Sequence, residues 1–129
     1  FRLLKLNNMI EIILYTLLLY FLQLFLPVTL KSKMAPETFQ RSRRATENLK
    51  ESLPAFLALA ILSISLDVQT NDASAYGWLF LRIIFAVIYI SGFNLKPANA
   101  AGHRAQPLRS FIWALSIVAL FDMGFNFIR

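Results

Sequence analysis

Cysteine is absent from the 129 residues, which removes a disulfide framework, a thiolate nucleophile and any cysteine-ligated metal site. Charge is scarce too: Asp, Glu, Lys and Arg make up 16% of the chain, against roughly 25% in soluble domains. The single histidine, His103, sits in a polar stretch and reads as a solvated loop residue. There is no internal repeat and no low-complexity tract. Hydrophobic residues reach 57% and the mean hydropathy is +0.57, which excludes a water-soluble globule, a disordered tail and a collagen-like rod. A body this small has too little interior to hide so much apolar surface, so lipid must solvate part of it. The net charge is +6, from 13 Lys and Arg against 7 Asp and Glu. Basic loops are the ordinary topological mark of a membrane protein, so no nucleic-acid partner is called for.

Four apolar runs stand out, at residues 10–30, 53–68, 75–93 and 110–128. Each approaches the ~20 residues a helix needs to cross the hydrocarbon. The second is short, but residues 44–52 hold no Pro or Gly and extend the same helix. The expected spans are therefore 10–30, 44–68, 75–93 and 109–128, in a single domain. The first run is too long for a secretory signal, and no small-residue cleavage site follows it. Backbone groups in lipid must bond one another, which leaves helices or a closed barrel. Runs such as Ile12-Ile13-Leu14 and Ile83-Ile84-Phe85 lack the alternation of a barrel strand. The fold class expected is an all-α integral membrane protein, a bundle of four transmembrane helices. Lys31, Lys33, Arg41, Arg43, Arg44, Lys50, Lys96, Arg104 and Arg109 fall on one side, and Arg2, Lys5 and Arg129 on the other. That imbalance places the long loops in the cytoplasm and both termini on the non-cytoplasmic side. Pro97 to Gly102 reads as a flexible loop. The compact connections favour a bacterial inner membrane over the endoplasmic reticulum.

Ionisable groups at membrane depth are costly and face the bundle interior, a cavity or a partner. Arg41, Arg44, Asn48 and Glu51 are spaced by three, four and three residues, which sets them on one helical stripe. Arg82, Phe85 and Tyr89 repeat the pattern in the third run. Arg109 and Ser110 open the fourth, where unpaired helix N–H groups add positive potential. This inventory suits a small zwitterion with more than one carboxylate and an ammonium: arginines fork onto carboxylates, Glu51 takes the ammonium and Asn48 pairs with an amide. Plainer roles stand beside these. Arg41 to Arg44 serve equally as a positive-inside anchor, and Glu51 as a partner for Lys50 or Arg44. Arg82 near a span end can snorkel, and Pro54 can simply kink its helix. Tyr76, Trp78 and Trp113 look like interfacial belt residues.

The pattern Arg-x-x-Arg-Ala-x-x-Asn-x-x-Glu-x-x-Pro-x-Phe, here Arg41, Arg44, Ala45, Asn48, Glu51, Pro54 and Phe56, resembles the signature of the MAPEG family, the membrane-associated proteins in eicosanoid and glutathione metabolism. Arg82-x-x-Phe85-x-x-x-Tyr89 and Pro107-Leu-Arg109-Ser110 look like its third- and fourth-helix motifs, in the right order. The resemblance implies a homotrimer of four-helix protomers in the lipid bilayer, with glutathione as co-substrate near the cytoplasmic face of the subunit interfaces. By position, Arg44, Asn48, Glu51, Arg82 and Tyr89 would hold glutathione, with Arg41 and Lys31 or Lys33 assisting. Arg109 would sit by the sulfur with Ser110 beside it, and Ser110 or Tyr89 would donate a further hydrogen bond. Two departures matter. Tyr89 and Arg109 lie twenty residues apart, so residues 94–106 must loop out; otherwise Lys96 or Arg104 becomes the thiol partner. Phe85 stands where some relatives carry a polar ring.

The activity this implies is a glutathione-dependent transferase or peroxidase acting on lipophilic electrophiles or lipid hydroperoxides, its thiolate stabilised by an arginine. The alternative is a non-catalytic protein of the same fold that presents lipophiles to a partner. A third reading, a small multidrug transporter, is prompted by Glu11. It fits poorly, because Glu11 lies at the outer end of its span and the cation-rich second helix suits anions.

Overall fold

The computed structural model describes residues 8–129; Arg2 and Lys5, counted in the charge balance, lie outside the described residues. Helix α1 covers Asn8–Leu30, α2 Pro36–Ser65, α3 Asn71–Ser91 and α4 Pro107–Phe125, and no strand occurs among the described residues. The bundle is the expected one, with one marked difference in extent. Helix α2 begins at Pro36 rather than near residue 44 and runs 30 residues, about 45 Å at the usual rise. Pro36 occupies the first helical turn, where its missing N–H costs nothing, and Glu37 follows in the same turn. No further Pro or Gly interrupts the helix until Pro54. Helices α1, α3 and α4 are long and apolar enough to cross a membrane. Helix α2 is apolar only in its second half, because charges recur from Glu37 to Glu51.

Helices α3 and α4 pack most extensively, and α2 touches both α1 and α3. The core is built from Met9, Ile12, Leu49, Phe56, Ala60, Trp78, Leu120 and Met123. Small residues at the contacts, Ala45, Ala60 and Ala75, are fully buried and let the backbones approach. Trp78, read from sequence as a belt residue, is instead completely buried and stacks on Phe56 with ring centroids 4.1 Å apart and planes 7° from parallel. Buried hydroxyls find acceptors one turn back: Thr16 donates to the Ile12 carbonyl at 2.7 Å and Ser63 to the Leu59 carbonyl at 2.7 Å. The outer faces are apolar and open, as at Phe25, Val87 and Phe121, which is the surface lipid solvates.

At one end lie the Leu66–Thr70 turn and the last turn of α4. There Asn71 is buried and its Nδ2 donates to Ser63 Oγ at 2.8 Å and to the Met123 carbonyl at 3.1 Å. Asn126 Nδ2 donates to Asn71 Oδ1 at 2.6 Å. Asp122 accepts from Ser74 and pairs with Arg129 at 2.9 Å. The other end, where α1 stops, α2 starts and α3 meets α4, carries the candidate site.

Candidate functional site

Helix α3 ends at Gly92, whose φ of 76° lies in the left-handed region that favours glycine. Arg41 reaches across from α2 and its Nε donates to the Ile90 carbonyl at 3.2 Å, covering a carbonyl that α3 cannot satisfy itself. The guanidinium passes so close that a Cβ on Gly92 would sit 3.2 Å from Arg41 Cζ. Glycine suits this position for space as well as for backbone angle, since a side chain here would make the guanidinium shift by a few tenths of an ångström. Its other contact, from Nη2 to Thr38 Oγ1 at 3.3 Å, fixes the arginine to its own helix.

The chain then leaves α3 and returns to α4 through a pinned neck. Gln106 is buried, and its Nε2 donates to the Ile88 and Phe93 carbonyls at 2.8 Å each. Asn94 Oδ1 accepts from the Leu108 backbone N–H at 3.0 Å and so caps the start of α4 from outside the helix. Residues between these anchors form a hairpin-like loop. The Lys96 N–H donates to the Ala105 carbonyl at 2.8 Å, and the Asn99 N–H to the His103 carbonyl at 2.9 Å. Asn99 Oδ1 closes the tip by accepting from the Ala101 and His103 N–H groups at 2.9 Å. The intervening residues thus loop out, and Arg109 is returned to α3: its Cζ lies 4.5 Å from the centre of the Tyr89 ring.

Two connected chambers open between α2, α3, α4 and this loop. The lower holds about 480 Å³ and is lined by Arg44, Glu47, Asn48, Glu51, Phe85, Tyr89, Arg109, Ser110, Trp113 and Ala114. The upper holds about 550 Å³ and is lined by Glu37, Gln40, Arg41, Arg44, Tyr89, Leu95, Gly102, His103, Arg104, Gln106 and Arg109. Arg44, Tyr89 and Arg109 belong to both, so they stand at the junction. The floor is a small apolar cluster of Ala45, Phe85 and Tyr89, in which Phe85 and Tyr89 meet edge to face at 5.5 Å.

Six of the residues singled out from sequence, Arg44, Asn48, Glu51, Tyr89, Arg109 and Ser110, converge on the lower chamber. Arg41 lines the upper one. Arg82 does not snorkel. It is 1% exposed, rests on the Phe85 ring at 4.4 Å and donates from Nη2 to Asn48 Oδ1 at 2.7 Å. Its Nε and Nη1 are buried with no partner among the described residues. Arg82 therefore acts behind the wall, occupying the Asn48 carbonyl so that the Asn48 amide N–H groups are the ones left to donate. Lys31 lines neither chamber and lies 5.1 Å above the Phe39 ring, which Arg43 shares at 5.9 Å. The only ion pair among the described residues is Arg129 with Asp122, at the far end. Glu51 thus pairs with neither Lys50 nor Arg44, and the arginines of the groove face Glu37, Glu47 and Glu51 without forming an ion pair with them.

Sequence reasoning missed Glu37, Gln40 and Glu47, although the same spacing of three and four extends the stripe to them on either side. It also missed Gln106 and the inward side of His103, for which the sequence holds no signal. No group of three or more His, Asp or Glu able to hold a metal exists among the described residues.

A family model, that of the MAPEG family, matches residues 12–128. No curated protein and no solved structure matches the chain.

Proposed function

The chain belongs to the MAPEG family, and on that premise we propose that it is a membrane-bound, glutathione-dependent transferase or peroxidase acting on lipophilic electrophiles or lipid hydroperoxides. The observation that carries this reading is the meeting of Arg44, Asn48, Glu51, Tyr89, Arg109 and Ser110 around one chamber. Unpaired groups of both signs in a common hollow fit a zwitterion better than they fit lipid. A guanidinium and a carboxylate that face one groove without pairing with each other are both left free to meet a ligand of complementary charges.

Arg44 holds a carboxylate of glutathione by a charge-assisted bond, Glu51 takes its ammonium and the Asn48 amide donates to the peptide. Arg41 and Lys31 assist, the latter from a neighbouring subunit. Arg82 keeps Asn48 in its donating orientation. The tripeptide supplies a thiol, which titrates near pH ~8.5 when free. Arg109 at the junction favours the thiolate, because a nearby cation stabilises the ionised form; each unit of lowering is worth about 1.4 kcal/mol. Ser110 and Tyr89 offer hydroxyl donors to the same sulfur. In the transferase reaction the proton leaves to solvent, the sulfur pair forms a bond to carbon, and the electrophile's displaced pair takes up a proton. In the peroxidase reaction two thiols give up two electrons to the O–O bond, yielding a disulfide, an alcohol and water.

The basic residues gathered at the chamber end favour a cytoplasmic orientation for it, with both termini on the opposite side, and the compact connections favour a bacterial inner membrane. A homotrimer accounts for the exposed polar flank of α2 at Glu47 and Glu51, which lipid would leave unsolvated. The test is equilibrium binding of glutathione to detergent-purified protein, with Glu51→Ala as control. Saturable binding that the substitution weakens supports the enzyme. Absence of binding to the parent protein leaves a non-catalytic lipophile-binding scaffold as the better account.

A further inference from the structure

Pro27 lies inside α1 and is buried there. It has no N–H, so the Gln23 carbonyl one turn earlier loses the partner that an α-helix supplies. In a span that lipid solvates no water replaces it, and Gln23 is only 8% exposed. The missing donor comes from another helix. Thr46 Oγ1 of α2 donates to the Gln23 carbonyl at 2.9 Å, and lies 3.0 Å from the Ser42 carbonyl of its own helix. Thr46 and Ser42 are both buried. Thr46 stands two residues from Arg44 and two from Asn48, a turn of about 200° from each at 3.6 residues per turn. Its hydroxyl therefore grips the back of α2 at the level where the front presents Arg44 and Asn48 to the lower chamber. Apolar contacts are non-directional and let a helix turn by small steps as they repack, whereas a hydrogen bond to a fixed carbonyl removes that freedom.

Resting on the glutathione reading for the lower chamber, we propose that Thr46 is a positioning residue for that site. It donates to the carbonyl that Pro27 strips of its helical partner, and so fixes the rotation of α2 against α1 with the peptide-holding face toward the chamber. Threonine and proline form one device. Without Pro27 the Gln23 carbonyl closes on its own helix; without Thr46 it is left buried and unpaired. Thr46 lines neither chamber and belongs to a different helix from Arg109 and Ser110, so it acts on the holding of the peptide rather than on the sulfur.

The experiment measures equilibrium glutathione binding and the midpoint of thermal unfolding for the full chain in detergent. Thr46→Val keeps the shape and removes the donor. It should lower the midpoint and weaken glutathione roughly tenfold, the scale of one lost hydrogen bond whose acceptor stays buried, while Thr46→Ser should keep both near the parent's values. With Pro27→Ala added to Thr46→Val, α1 supplies its own N–H. The midpoint should then return while the affinity stays low, because the bond between the helices is still missing; should Thr46→Val alone not fold, this double variant carries the comparison. The chain has no cysteine, so Ser42→Cys, one turn from Thr46 on the same buried face, gives a probe independent of glutathione. A water-soluble maleimide should label it slowly with Thr46 in place and several-fold faster once Thr46→Val is introduced, with or without Pro27→Ala. Unchanged glutathione affinity in Thr46→Val overturns the proposal. So does affinity that returns together with the midpoint in the double variant, which would make Thr46 a merely structural residue. A parent protein that binds no glutathione, with the label still responding, would sink the enzymatic reading and leave the lock between α1 and α2 standing.

Discussion

The two ends of the bundle hold similar side chains and use them in opposite ways. At the end formed by the Leu66–Thr70 turn, Asn71, Asn126, Ser74, Asp122 and Arg129 bond one another, and little hydrogen-bonding capacity is left over. At the other end, Arg44, Glu47, Glu51, Arg104 and Arg109 face a shared hollow and form no ion pair among themselves. Satisfied polar groups hold helices together; unsatisfied ones around a cavity wait for something else. Polarity is therefore no guide to function in this protein. Whether the polar groups have each other is.

That contrast yields substitutions whose effects should separate cleanly between turnover and folding. Arg109→Ala should have the largest effect, lowering kcat roughly a hundredfold by removing about 3 kcal/mol of charge-assisted stabilisation, with a smaller change in the KM for glutathione; steady-state kinetics with a model electrophile decides it, and equal activity would remove Arg109 from the mechanism. Arg44→Ala should raise that KM roughly tenfold, toward the low end of the same range, because Arg41 and Arg109 keep part of the positive field. Its melting temperature should stay that of the parent, and an unchanged KM would return Arg44 to a topological anchor. Asn71→Ala should do the reverse. Loss of its contacts to Ser63 and Met123 should cost about 1–3 kcal/mol of stability, read as a lower midpoint of thermal unfolding in detergent, with glutathione affinity intact. The smallest effect expected is from Gly92→Ala. A side chain at a positive φ costs on the order of 1–2 kcal/mol, and displacement of Arg41 should raise the KM only slightly; unfolding midpoint and KM measured together test both halves.

Much of the site was legible because a helix converts spacing into a surface. Arg41, Arg44, Asn48 and Glu51 lie on one stripe whatever the neighbours do, and the stripe does line the chambers. Its extension to Glu37 and Glu47 was available by the same rule. Trp78 was misread although the same rule reaches it: it lies four residues before Arg82, on the stripe that carries Arg82, Phe85 and Tyr89, and that face turns inward with Trp78 against Phe56. Arg82 was placed near the site but its manner of acting was not visible, since that depends on where the Asn48 amide of another helix falls.

The amino-acid order alone settled that lipid would be the solvent, that helices would span it, and which residues would share a helical face. Those are local or compositional consequences: hydropathy is additive along a run and the turn of a helix is fixed. Tertiary structure decided which polar groups would neutralise one another and which would be left facing a hollow. It also decided that the segment between Tyr89 and Arg109 would close its neck with Gln106 and Asn94 and fold its tip over the groove. The bonds that do this join residues up to eighteen apart, and no periodicity in the chain records them.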